Sequence, residues 1–273
     1  MAVENNADIP ERLVPGTLAW DLYQVEHKQR YEWALDYCQG KRVLDVACGT
    51  AYGSTILAQR GAAHVVGVDI SVEAVASNGK RPPRLALANG DACNLPFDDD
   101  TFDVVVSFET IEHLVSPERL LAEISRVLKA GGVCICSSPN RDFLPFSGEK
   151  ETNPFHISEM SYEEFDDLFA KYFEVSERFS QTHSDMYIRH LQLLRELDER
   201  LKPIRFSKLI RIERKIRGLL GRDSFNGLES LSARLSRAVP GDYVIEPLNE
   251  ASSELLTFIF VGKSKAIQSH MNL

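Results

Sequence analysis

The chain has 273 residues, 44% of them hydrophobic and 26% charged, and a formal net charge of −9. That length buries one sizeable core, as one domain with an addition or as two small ones, and the negative balance excludes a protein that coats nucleic acid with its whole surface. No apolar run reaches membrane-spanning length, the acidic start (Glu4, Asp8, Glu11) is not that of a signal peptide, and five cysteines, an odd count, suit reduced thiols in the cytoplasm.

Residues 1–15 are polar, with Pro10 and Pro15, and are expected to be mobile or lightly docked. From Leu18 to Cys38 apolar residues recur at helical spacing, and Gly40 stops the run. Within it Glu26-His27-Lys28-Gln29-Arg30-Tyr31 is chemically dense. Arg42–Val46 reads as a short buried strand. Small residues follow at 47, 49, 51 and 53, then a helix-like run from Ser54 to Gln59. Strand, small-residue turn and helix let a nucleotide-like ligand approach the backbone at the carboxyl end of a strand. A second strand, Val65–Val68, ends in Asp69, where an acid can hold a ribose diol. A dinucleotide fingerprint would need three glycines to seat a pyrophosphate. Here those positions hold Ala47, Gly49 and Tyr52, and Asp45 ahead of them would repel a pyrophosphate while attracting an ammonium or sulfonium group. This disfavours a dinucleotide oxidoreductase.

A helix from Val72 to Ser77 is capped at Ser71, and Pro82-Pro83 breaks the chain before a third strand at 84–88, which leads into Gly90-Asp91-Ala92. Asp98-Asp99-Asp100 lacks ligand spacing and reads as a solvated turn. Phe102–Ser107 is a fourth strand. Pro117–Lys129 is an amphipathic helix ended by Gly131-Gly132, and Val133–Ser138 is a fifth strand whose Cys134 and Cys136 share a face as core residues. Alternating strand and helix implies a parallel sheet. Ser161 and Glu164 form a capping box for a helix to Lys171; Tyr172–Ser180 is a sixth strand and Leu255–Gly262 the last.

After the fourth strand comes Phe108-Glu109-Thr110-Ile111-Glu112-His113-Leu114. Glu109, Glu112 and His113 stand at i, i+3 and i+4 and share one face if the segment is helical. Two carboxylates and an imidazole converging in one place call for a positive partner, and a divalent cation supplies it economically. Asn153-Pro154-Phe155-His156 offers a further ligand. Without a metal, His113 or His156 can act as a general base near neutral pH.

V-L-D-V-A-C-G-T-A-Y-G, V-V-G-V-D-I-S, G-D-A-C-N-L-P-F-D-D-D-T-F-D-V-V-V-S and L-K-A-G-G resemble the ordered motifs of class I S-adenosylmethionine-dependent methyltransferases. The resemblance implies an α/β fold, a doubly wound, seven-stranded, mostly parallel sheet, with S-adenosyl-L-methionine as cofactor. It implies cofactor contacts at Arg30, Tyr31, Asp45, Ala47, Gly49, Asp69, Ile70, Asp91, Ala92 and Phe108. Arg30 or Tyr31, on a helix that covers the cofactor, would meet the methionine carboxylate or the transferring methyl. Asp91 would accept from the adenine amino group. Ala51 stands where relatives usually carry glycine, so its methyl either crowds the cofactor or is tolerated by the turn.

E-x-x-E-H with a later His is similar to two metal-dependent groups, the small-RNA 3′-end 2′-O-methyltransferases and the ubiquinone-pathway O-methyltransferases. Carried over, the ligands of Mg²⁺, Mn²⁺ or Zn²⁺ are Glu109, Glu112, His113 and His156, with His113 and His156 also the catalytic candidates. E-H-x-x-R-Y and N-P-F-H are similar to bacterial methyltransferases of surface-glycan or secondary-metabolite pathways. They imply O-methylation of a sugar hydroxyl, with RNA 2′-O-methylation and a non-catalytic scaffold as rivals.

Four segments are expected: a cofactor-covering amino-terminal part (1–40), a methyltransferase core (41–184), a helical insertion (185–245) and the last strand with its tail (246–273). From 186 to 222 there are eleven Lys or Arg against four Asp or Glu. This basic stretch, 205–217 above all, fits a lid or homodimer contact, a membrane-surface helix at the inner membrane, or an RNA contact. No interleaved aromatic platform for bases is evident there, which counts against nucleic acid.

Overall fold

The computed structural model describes residues 18–76, 80–142, 155–183, 243–248 and 257–265. The expectations for residues 1–15, Asn153-Pro154 and 205–217, and for the helices of the insertion, fall outside those residues.

The helical run opens the fold as α1 (Leu18–Trp33) and the short α2 (Leu35–Cys38). Then come β1 (Arg42–Val46), α3 (Tyr52–Arg60), β2 (His64–Asp69), α4 (Val72–Ala76), β3 (Leu85–Asn89) and β4 (Phe102–Ser107). A single 3₁₀ turn, Ile111–His113, leads to α5 (Pro117–Val127) and β5 (Leu128–Pro139). The chain closes with α6 (Tyr162–Tyr172), β6 (Phe173–His183), β7 (Tyr243–Pro247) and β8 (Thr257–Ser264).

The strands form one sheet in the order β3-β2-β1-β4-β5-β8-β6-β7. β1 pairs in parallel with both β2 and β4, so the winding reverses there, while β8 lies antiparallel between β5 and β6. The sequence predicts seven strands; the described residues contain eight. The additional one, β7, is an edge strand antiparallel to β6. It straddles the boundary expected at 245, so the end of the insertion is sheet rather than helix.

Period-two alternation along each strand sends side chains to two layers. Leu44, Val46, Val105 and Cys134 pack on one face with Leu120, Leu121 and Ile124 of α5 and Phe165 and Phe169 of α6. Val43, Val65, Val104 and Ile135 pack on the other with Tyr31, Ala34, Leu57 and Ala58. Cys134 and Cys136 are fully buried, as core residues should be.

α5 ends two residues earlier than its apolar pattern suggests. The amides of Asp100 and Thr101 take the carbonyls of Arg126 and Val127 at 3.1 and 2.8 Å, and Leu128 already pairs with Phe102. The approach to β4 captures the helix end before Gly131-Gly132 is reached. The other caps behave as expected: Ser71 Oγ accepts from the Ala74 amide at 3.2 Å, and Ser161 with Glu164 makes the reciprocal box.

Candidate active site

A cavity of about 390 Å³ opens where the winding reverses, at the carboxyl ends of β1 to β4. This is where doubly wound sheets hold ligands, because diverging loops leave a crevice there. Its wall takes Ala47, Cys48, Gly49 and Thr50 from the turn after β1, and Asp69 and Ile70 from the tip of β2. Gly90, Asp91 and Ala92 follow β3, and Phe108, Glu109 and Thr110 follow β4.

The turn after β1 is tightly wound. Ala47, Gly49 and Ala51 have φ of 58°, 54° and 59°, the left-handed region. The Gly49 amide donates to Asp69 Oδ2 at 2.8 Å and the Ser71 amide to Oδ1 at 2.9 Å, tying the turn to the β2 tip. The Cys93 amide donates to Asp91 Oδ1 at 2.8 Å, which shapes the loop bearing Asp91 and Ala92. Ala51 is 4% exposed and does not line the cavity, so its methyl strains the turn rather than crowding a ligand.

Two residues expected at the cofactor stand behind the wall instead. Asp45 is 0% exposed. It alternates to the same face as Val43, and there Tyr31 donates to Oδ1 at 3.1 Å and Ser54 to Oδ2 at 2.5 Å. Burial pushes its carboxyl up to about 7 against the pull of those hydroxyls. Arg30 is also 0% exposed and donates from Nη1 to Gln181 Oε1. Burial opposes its charge, but Glu109 and Glu26 outweigh that and hold it protonated.

Tyr31 does line the cavity, edge-on to Phe108 with ring centroids 5.0 Å apart. Gly53 makes room for it: a Cβ at that position would come within 2.1 Å of the Tyr31 ring. His27, a helical turn before Tyr31, joins the same wall. Burial and then Arg30 hold its imidazole well below the usual range, in the neutral form. The i, i+4 spacing to Tyr31 was the signal that could have singled it out. Tyr52, Thr110, Leu114 and Phe155 also line the cavity, and no sequence pattern marked them as a set.

The predicted metal set is brought together in part. Ligand atoms of Glu112, His113 and His156 lie within 4.8 Å of one another. Ser158 makes the link: it donates from its amide to the Glu112 carbonyl and from Oγ to the Ile111 carbonyl, both at 2.9 Å. His113 and His156 meet edge to face at 4.8 Å. Glu109 is not among them. The expected helix is only one 3₁₀ turn, and Glu109 precedes it at φ 49°, which swings its carboxylate to Ser137 Oγ at 2.7 Å.

The three remaining groups fit a divalent cation. His113 Nδ1 lies 3.2 Å from the Phe155 carbonyl, which can only accept, so Nδ1 carries the proton. His156 Nδ1 faces the Glu159 carboxylate. Such partners fix a ring and its tautomer so that Nε2 presents a lone pair to a metal, and His113 Nε2 is the nitrogen 3.8 Å from Glu112 Oε1.

A nucleoside-sized crevice at the winding reversal, with acids at the tips of β2 and β3, defines a class of proteins that bind an adenosyl cofactor. The comparisons name the family. A methyltransferase-domain profile matches residues 44–136. A Mycolicibacterium smegmatis protein described as a probable S-adenosylmethionine-dependent methyltransferase is 35% identical over 176 residues, 63% of this chain and 67% of that one. A demethylmenaquinone methyltransferase of Clavibacter sepedonicus is 42% identical over 107 residues, 37% of this chain and 43% of that one. The structure of a Thermotoga maritima protein, described as a possible histamine N-methyltransferase, aligns with a TM-score of 0.57 at 20% identity, over 91% of this chain and 92% of that one. The chain belongs to the S-adenosylmethionine-dependent methyltransferases, and its cofactor is S-adenosylmethionine.

Proposed function

We propose that the chain is an O-methyltransferase that moves the cofactor methyl to a hydroxyl of a small molecule, a sugar or glycan, with a divalent cation held by Glu112, His113 and His156. The observation that carries this reading is the position of that triad: His113 lines the same cavity as Asp69 and Asp91, so an acceptor placed against it also faces the cofactor. A bound Mg²⁺, Mn²⁺ or Zn²⁺ would lower a hydroxyl's pKa and orient its oxygen. Mixed carboxylate and imidazole donors suit such ions. The protein's own contribution is alignment. Tyr31, Phe108 and Phe155 line the site, and methyl transfer needs little beyond a positioned, deprotonated acceptor.

The test is mass spectrometry of products from S-adenosylmethionine and host extracts, with and without chelator. A 14-dalton-class mass gain that chelator, Glu112→Ala and His156→Ala each abolish, with far-UV spectra unchanged, is expected of the metal reading. Full activity in chelator removes the ion from it. Methyl incorporation into a carbon or nitrogen position removes the O-methylation. The basic 205–217 segment is proposed as a membrane-surface or homodimer contact of the cytoplasmic enzyme. Liposome co-sedimentation of wild type and a charge-neutralised variant tests the first of these.

A further inference from the structure

The sequence puts the negative partner of the sulfonium on Asp45 and makes Glu109 a metal ligand. The structure gives neither residue that place. Asp45 is sealed between Tyr31 and Ser54, and Glu109 is the carboxylate on the cavity wall between Phe108 and Thr110.

Holding Glu109 there is costly. Its φ of 49° lies in the left-handed region, which a β-carbon disfavours. Its amide donates to Ser137 Oγ at 3.1 Å while that hydroxyl donates to Oε1 at 2.7 Å, so one serine fixes both backbone and side chain. Behind Oε2, at 3.9 Å, lies Nη2 of the fully buried Arg30. Arg30 Nε and Nη2 make no hydrogen bond. A buried guanidinium with unused donors is expensive, and it survives where an opposite charge stands close. The result is a carboxylate clamped in one orientation, unlike the swinging side chain a proton shuttle needs.

A clamped carboxylate acts on a ligand through its charge. The cofactor is the ligand whose charge changes during the reaction: its sulfonium is cationic, and the thioether left after methyl transfer is neutral. Arg30 stands 3.9 Å behind Oε2, on the side away from the cavity wall, and offsets only part of that charge. The Tyr31 and Phe108 rings line the same cavity and the Glu109 side chain is 17% exposed, which limits screening by water.

We infer that Glu109 reads the charge of the bound cofactor: its carboxylate favours S-adenosylmethionine over S-adenosylhomocysteine and thereby favours release of the spent product. The inference rests on the cofactor assignment and on Glu109 standing outside the metal triad.

Isothermal titration of the full chain with each nucleoside, for wild type, Glu109→Gln and Glu109→Asp, tests it. Glu109→Gln is expected to weaken S-adenosylmethionine binding about tenfold, roughly 1.4 kcal/mol, and S-adenosylhomocysteine binding less than about twofold. Glu109→Asp keeps the charge and is expected to keep the preference. Equal weakening of both ligands by Glu109→Gln, or no change in either, overturns the inference and leaves the cofactor assignment standing. A Glu109→Gln variant that loses Mg²⁺ affinity while keeping the ligand preference also overturns it and restores Glu109 to the metal set. A wild type that binds neither nucleoside overturns the cofactor assignment and this inference together.

Discussion

Two residues at the tip of β1 carry costs that the sequence only hints at. Ala51 adopts φ 59° and ψ 25° as the N-cap of α3, a conformation that glycine takes freely and alanine does not. The left-handed penalty of about 1–2 kcal/mol exceeds the extra unfolded-state entropy of glycine, about 0.4–1 kcal/mol. Ala51→Gly is therefore expected to stabilise the fold by about 1 kcal/mol and to raise the melting temperature by about 2–4 °C, read by calorimetry. Asp45 couples stability to pH. Burial lifts its carboxyl to about 7, whereas an unfolded aspartate titrates near 4. Between those values the unfolded chain has released a proton that the folded chain still holds. The stability this group contributes is complete below about pH 4, is lost as pH rises towards 7 and stays lost above it. Glu26, lifted to about 7 chiefly by burial, acts in the same direction over the same range. Asp45→Asn removes one of these two titrations. Relative to wild type, the variant is expected to be more favourable at pH 8 than at pH 5 in urea denaturation, and equal differences at the two pH values would remove this account.

At the scale of elements, the loops that build the site are held by side chains far from it in sequence. Arg126, near the end of α5, donates to the carbonyls of Leu95 and Phe97 at 3.0 and 2.7 Å and to Asp99 Oδ1 at 2.8 Å. It also forks onto Glu123, whose Oε2 in turn accepts from the Leu95 amide at 2.7 Å. One guanidinium thus anchors the chain between β3 and β4 just past Asp91. Arg126→Ala is expected to cost about 2 kcal/mol, from lost charge-assisted bonds and newly orphaned carbonyls. It is also expected to weaken nucleoside binding through the loosened 91–97 loop. Denaturant titration and calorimetric binding measure the two effects; a variant of unchanged stability would show the clamp to be idle. Ser158 plays the same part on the other side, pinning the segment of His156 to the turn of His113.

For the whole molecule, the sheet decides where chemistry can happen. Winding reverses at β1 and opens the crevice where doubly wound sheets hold ligands, so the residues lining the cavity gather at one edge of the sheet. β8, slotted antiparallel between β5 and β6, extends the sheet away from the cavity, and β7 extends it further. Among the described residues no helix is long and apolar enough to cross a membrane.

Local patterns were enough for seven of the eight described strands, the Ser71 and Ser161 caps and the small-residue turn after β1, because each depends on period, propensity or spacing within a few residues. The family followed from the order of those motifs. What a side chain faces was a different matter. Asp45 looked like a cofactor contact because it sits at a strand end, yet strand alternation turns it into the layer of α1 and α3, where Tyr31 and Ser54 wait. Glu109 looked like a ligand because of its spacing from Glu112 and His113. The segment makes one 3₁₀ turn instead of an α-helix, and Ser137 and Arg30, distant in sequence, claim the carboxylate. His156 meets His113 only because Ser158 closes a long-range loop. Sequence alone fixes which groups are present near the sheet edge; burial and contacts between remote segments decide which of them reach the cavity.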